Sequence, residues 1–268
     1  MFTTELTTTN LSEFMNLTTD VVDNQPFIYR GQANYNWKLI PSIYRISIPK
    51  NREKEPAHLY DCAEAKLVQQ FFDSGLPYLS NIERGYGSDR IRAQHFGVPT
   101  RLLDWSFDPL VALFFAVENW RDDRDSSVYI LCPDTKLHYQ DMTRELVERY
   151  QESFPETKPF TPNSHNIAII PPAIDQRVLN QKSVLTLHSF GQKAEFEALE
   201  ERSTTGAIVS TEEGNSQRVF CKIRIAASNK RGLFCRLLDL GVDRRRLFPT
   251  LDGLGSDIAT RAEINRLS

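Results

Sequence analysis

Gln94-His95-Phe96-Gly97-Val98-Pro99-Thr100-Arg101-Leu102-Leu103-Asp104-Trp105, continued by Ser106-Phe107-Asp108-Pro109-Leu110-Val111-Ala112-Leu113-Phe114-Phe115-Ala116-Val117, joins the polar and apolar centres of this sequence. Ser88 to His95 has helical character, and Gly97 suits its carboxyl-terminal cap. A Gly-x-Pro turn then redirects the chain and delivers Arg101 and Asp104. Their three-residue spacing lets them meet across one turn as a charge-assisted pair. Beside Leu102 and Leu103 such a pair is expected near the core, where losing one partner leaves the other charge uncompensated. Asp108 before Pro109 starts a helix, with an acceptor side chain at the N-cap and a fixed φ at the first helical position. Leu110 to Val117 is apolar on every face. It is therefore expected to be buried on all sides, as the central element of the core.

Working outward, Asn10 or Ser12 can cap a first helix running through Asp20. Pro26 to Arg30 reads as a strand ended by Gly31. His58 to Asp73 carries Leu59, Cys62, Ala65, Leu67, Val68, Phe71 and Phe72 at helical spacing, with Gly75 and Pro77 as stops. Val128 to Cys132 is a buried strand and Met142 to Tyr150 an amphipathic helix. Pro155 to Pro172 is an irregular excursion ending in the short strand Ile167 to Ile170. Val184 to His188 and Val219 to Ile225 are further strands. Asn229 to Leu240 is a helix closed by Gly241, and a final helix runs from about Ser256. Strands and helices do not alternate as βαβ units, so the fold class is α+β: a single mixed domain with a central antiparallel or mixed sheet flanked by helices. Residues 1–24 are expected as an N-terminal helical extension and residues 25–268 as the domain.

The 268 residues carry a net charge of −3, which gives no bulk argument for a nucleic-acid or membrane partner. Cys62, Cys132, Cys221 and Cys235 form no C-x-x-C pair, so neither zinc nor a disulfide framework is expected. The start of the chain has no signal-peptide pattern, and no stretch approaches the roughly 18 apolar residues of a membrane span. A cytoplasmic location is expected. There is no Gly-rich phosphate loop and no nucleophile elbow.

Several separated pieces resemble the FRG domain family. They are Tyr29-Arg30-Gly31-Gln32; Trp37-Lys38-Leu39-Ile40-Pro41-Ser42 with Arg45; the block from Gln94 to Trp105; and Asp108 to Ala116. Further on, Arg177 to Thr186 is similar to a family pattern, with Ser183 and Leu185 standing where glycine and phenylalanine are usual. Leu237 to Leu254 is similar to the closing block. The resemblance implies a bacterial, phage-associated protein. The family's polar residues are distantly similar to those of ADP-ribosyltransferases, including toxins that modify nucleic acid. That implies an ADP-ribosyltransferase-like fold and activity, NAD as co-substrate, a nucleic-acid or protein target, and a role in toxicity or phage defence. The rival expectation is a non-catalytic domain that recognises a nucleotide, nucleic acid or protein.

Cleaving the nicotinamide bond builds positive charge on the ribose, so the site needs a cation for the diphosphate, an aromatic face and an acceptor. Under the resemblance Arg30, His95 and Gln181 are the candidate catalytic residues. Arg30, Gly31, Gln32, Arg101 and Tyr44 are the candidate NAD-binding residues. Gly31 is expected to let a ligand approach closely. Arg101 can bind phosphate instead of bracing Asp104, and Trp37 and Trp105 can supply a stacking face. Gln181 can bond ribose hydroxyls but brings no negative charge. Glu195-Phe196-Glu197 is similar to an E-x-E pair, yet equally reads as a solvated charge run. Arg244-Arg245-Arg246 can meet nucleic-acid phosphate, or form a solvated turn.

Overall fold

The computed structural model describes residues 6–19, 27–46, 56–79, 84–133, 135–146, 167–188 and 220–267. The strands are β1 (Leu6–Thr8), β2 (Ile28–Gln32), β3 (Leu102–Ser106), β4 (Ser126–Leu131), β5 (Thr135–His138), β6 (Ile167–Ile170), β7 (Ser183–Leu187) and β8 (Phe220–Ile225). The helices are α1 (Leu11–Thr19), α2 (Pro56–Gly75), α3 (Tyr86–His95), α4 (Pro109–Val117), α5 (Gln176–Asn180), α6 (Ala227–Asp239), α7 (Arg244–Leu247) and α8 (Leu251–Leu267). The eight strands make one mixed sheet in the order β1-β8-β4-β2-β3-β7-β6-β5. Among the described strands only β1·β8 and β5·β6 run parallel. This is the α+β domain expected from the sequence.

Helix α4 forms where its sequence demands. The Asp108 carboxylate accepts from the Leu110 amide at 2.9 Å, and Pro109 occupies the first turn, where no amide is needed. Val111, Ala112, Leu113, Phe114, Ala116 and Val117 are buried. Replacing Asp108 by alanine is expected to lower stability by about 1 kcal/mol, read as a shift in the urea midpoint. Asparagine there, which still caps, should recover most of it. The accompanying Lys182–Asp108 ion pair at 2.8 Å has an exposed lysine and adds little.

The period-2 alternation of the strands divides the core. Tyr29, Val128, Ile130, Ile223 and Ile225 pack with α4, with Phe14 of α1 and with Leu233, Phe234 and Leu237 of α6. Their neighbours Ile28, Leu103, Trp105, Tyr129, Leu131 and Val184 cluster with Leu39. A third group joins Ile91 of α3 to Leu102, Ile169, Leu185 and Leu187. The amino-terminal segment differs from a helical extension. It adds an edge strand, β1, and buries Phe14 in the main core, while Asn10 caps α1 by accepting from the Glu13 amide at 3.0 Å. The final helix starts earlier than Ser256, at Leu251. Of the helix expected over Met142–Tyr150, residues 144–146 are helical and residues 147–150 lie outside the described residues, as do the excursion before residue 167 and Glu195–Glu197.

One feature of the sheet opens its centre. Strand β2 pairs with β4 from Ile28↔Leu131 to Gln32↔Ser127, and β3 pairs with β7 along its full length. Between β2 and β3, however, the register holds only at Tyr29↔Ser106. Beyond that bridge the two halves of the sheet part, leaving Arg30–Gln32 facing Leu103–Trp105 across a gap.

Candidate functional site

A cleft of about 710 Å³ occupies this gap. Side chains from both faces of the sheet line it, together with α3, α4, α5 and the segment after β2. The Arg30 guanidinium crosses the gap and donates to the Asp104 carbonyl, a group that a neighbouring strand would otherwise satisfy. Its Nε is buried without a partner among the described residues, as are Nε of Arg177 and Oε1 of Gln32. All three residues line the cleft. Burial pushes the Arg30 guanidinium below its ordinary value; the Asp104 charge acts against that and Arg45 adds to it. It stays a cation.

The cleft is locally positive although the chain is acidic. Arg30, Lys38, Arg45 and Arg177 line it, against Asp104 and Glu118. Glu118 is already paired with Arg244 at 2.5 Å. Burial raises its carboxyl, and Arg244 draws it back down. Asp104 accepts from Gln94 Nε2 at 2.9 Å, and Gln94 in turn accepts from the Thr100 hydroxyl. Trp105 is buried, with Nε1 donating to Thr186 Oγ1 at 2.8 Å, whereas Trp37 is 51% exposed at the rim.

Of the expected site residues, the structure brings Arg30, Gly31, Gln32, His95 and Gln181 to this one cleft. His95 ends α3, and its Nε2 lies 2.8 Å from Asp175 Oδ2. Gln181 follows α5 and donates to the Leu247 carbonyl at 3.0 Å, tying the cleft wall to α7. Gly31 corrects the expectation made for it. The space a Cβ would need belongs to α4, with Ala116 N at 2.7 Å and the Ala112 carbonyl nearer still, so this glycine admits a helix backbone.

Arg101 and Tyr44 are not in the cleft lining. Tyr44 packs edge-on against Tyr60, ring centroids 5.0 Å apart. Arg101 is fully buried, and its partner is Glu64, not Asp104: Nε donates to Oε2 and the backbone amide to Oε1, each at 2.7 Å, while Nη2 reaches Asp61. Glu64, itself fully buried, also accepts from Arg90 Nε at 3.0 Å. The expected brace fails because the chain does not turn there. Leu102–Ser106 is a strand, and residues three apart on a strand point to opposite faces.

Arg45 and Arg177 stand in motifs read from the sequence but have no role assigned there. Lys38 stands in such a motif too, likewise with no role assigned, while Asp175 carries no sequence signal, since a carboxylate before a short helix reads as a cap. Asp175 is one, accepting from the Val178 amide at 3.2 Å. Arg244–Arg246 form the short helix α7, with Arg244 on Glu118 and Arg245 on Asp243 at 3.2 Å.

Residues 25–125 match the family model described as FRG domain. This chain carries an FRG domain. The match holds the Arg30 motif, the Gln94–Trp105 block and α4, so in this FRG domain both sides of the sheet gap come from the matched residues. The similar stretches around Arg177–Thr186 and Leu237–Leu254 lie outside it. No curated protein and no solved structure matches the chain. Among the described residues no group of histidine, cysteine and carboxylate side chains suits a metal, and no helix is long and apolar enough to cross a membrane.

Proposed function

We propose that the cleft of this FRG domain binds NAD and that the protein is an ADP-ribosyltransferase-like enzyme acting on a macromolecule. One observation carries this reading: buried polar atoms of Arg30, Arg177 and Gln32 have no partner among the described residues, at a cleft whose charge is positive in an acidic chain. Buried polar groups are ordinarily satisfied, so unsatisfied ones lining a cavity favour a ligand that satisfies them. A dinucleotide offers diphosphate oxygens to guanidinium groups and a carboxamide to Gln32. The cleft volume falls in the range of small-molecule sites. Trp37 at the rim supplies an aromatic face. A toxin or phage-defence role fits such an activity.

Calorimetry with NAD, ADP-ribose and nicotinamide as separate ligands tests the reading. NAD and ADP-ribose should bind, and nicotinamide alone should bind far more weakly. Arg30→Ala should weaken NAD binding by about tenfold to a hundredfold, the loss of one to two charge-assisted bonds. Circular dichroism should be unchanged. Heat-silent titration at millimolar NAD overturns the proposal.

A second reading, recognition without turnover, is favoured by the engagement of Gln181 with the Leu247 carbonyl and of Glu118 with Arg244. The Glu118 carboxylate, a group able to meet an oxocarbenium, is thereby occupied, and the Gln181 amide is tied down by its NH2 group. It expects NAD or another nucleotide to bind and no nicotinamide to be released.

A further inference from the structure

Three groups on the cleft wall are able to take a proton: Asp104, Glu118 and His95. Glu118 is in an ion pair, and Asp104 is a carboxylate held by Gln94. A carboxylate is ordinarily a poor base toward a neutral hydroxyl, whereas imidazole is the side chain whose proton exchange falls closest to neutral pH. His95 is distinguished by what stands behind it. Its side chain is 11% exposed, and Nε2 lies 2.8 Å from Asp175 Oδ2. Asp175 does not itself line the cleft.

Burial acts to raise the Asp175 carboxyl. The His95 contact and the amides of Val178 and Arg177 outweigh it, so the group sits below its usual value. An ionised carboxylate only accepts, so Nε2 carries a proton and donates, which in the neutral form of the imidazole leaves the lone pair on Nδ1. Nδ1 has no protein partner among the described residues, while the imidazole as a whole borders the cleft.

We propose that His95 is the general base of this cleft and that Asp175 is the positioning residue that fixes its tautomer. The inference rests on NAD being the substrate. In the reaction, the bond between the ribose C1′ and the nicotinamide ring nitrogen breaks and its electron pair leaves with neutral nicotinamide. The acceptor oxygen, from a target hydroxyl or from water, forms the new bond to C1′, and its proton passes to His95 Nδ1. Arg30 and Arg177 hold the diphosphate, and the nearby Asp175 charge stabilises the imidazolium as it forms.

The bland alternative is that the pair merely ties the end of α3 to the start of α5. Two variants of the full chain separate these roles, with release of nicotinamide from NAD, water as acceptor, as the assay. Asp175→Asn keeps the cap on the Val178 amide through its amide oxygen, because asparagine caps as well as aspartate, but sets an NH2 donor against His95 Nε2, which removes the charge and turns the neutral imidazole to the tautomer with Nδ1 protonated. It should lower kcat nearly as far as His95→Ala does and leave KM and the melting temperature unchanged. His95→Ala should lower kcat about a hundredfold, within the span of general-base effects, with NAD binding retained by calorimetry. Added imidazole should restore a measurable part of that rate.

The proposal is overturned if wild type binds NAD without cleaving it. It is equally overturned if His95→Ala keeps its kcat, or if its loss appears only as a raised KM or a lowered melting temperature that imidazole does not repair. Absence of NAD binding by wild type overturns the underlying reading as well, so the two failures are told apart by calorimetry.

Discussion

Replacing Glu64 by alanine should destabilise the protein by about 3–5 kcal/mol, the range for breaking a buried ion pair. A urea titration should find the transition shifted to much lower denaturant or absent. The carboxylate is fully buried and divides its two oxygens among the Arg101 amide, the Arg101 guanidinium and the Arg90 guanidinium. Removing it takes the shared carboxylate from two buried guanidinium groups and leaves Asp61 as the ion-pair partner of Arg101. Glutamine should rescue little, because half of its head group is a donor turned toward donors. Arg101→Ala should cost less than Glu64→Ala, since Arg90 then still answers the charge of Glu64. A larger loss for Arg101→Ala than for Glu64→Ala would show that the arginine carries more of the site than the carboxylate does. Arg90 also lies over the Tyr86 ring, 3.6 Å from its centroid, so the ion pairs bind α2 to α3 and to the entry of β3.

Gly31→Ala should be nearly as damaging, at least about 3 kcal/mol, at the upper end of the usual cost of overpacking. The added carbon meets helix backbone, not a side chain that can swing aside: the Ala112 carbonyl, and Ala116 N at 2.7 Å. Relief requires α4 to lift off β2, and α4 is the most apolar helix in the core. The expected readout is loss of soluble protein or of a cooperative melt. A normally stable Gly31→Ala variant would mean that α4 does not sit as close to β2 as described.

These two positions also show which parts of the molecule were legible in the sequence. Helix α4 could be read because its instructions are local: Asp108 and Pro109 start it, and eight apolar residues leave it nowhere to lie but inside. The Gly97 cap, at φ +87°, and the Gly241 stop, at φ +74°, were legible for the same reason. Glu64 was not, although a clue exists. Running the stripe Phe72, Val68 back by one more helical turn lands on Glu64, and a carboxylate at an apolar position needs a buried cation. Its partner stands 37 residues away, beyond any periodicity. Likewise Asp175 is 80 residues from His95. Strand β1 is three residues of Leu-Thr-Thr, with no alternation to notice. The gap between β2 and β3 depends on register, and register is written in no single segment. Arg30, Gln32, His95 and Gln181 could be nominated through the family resemblance, but that they surround one cleft is a property of the folded sheet.

Strand β1 has a consequence for how the chain reaches this state. Leu6 to Thr8 lie beside Ile223 to Ile225, and β8 also completes β4. Strand β1 therefore waits for β8, and this flank of the sheet stays unzipped while the chain between them emerges from the ribosome. Contacts of such long sequence separation close late and slowly. During synthesis the exposed rim of β4 is a template for unwanted pairing with other chains, so holding nascent chains with a chaperone should matter more to yield than lowering the growth temperature of an already folded product.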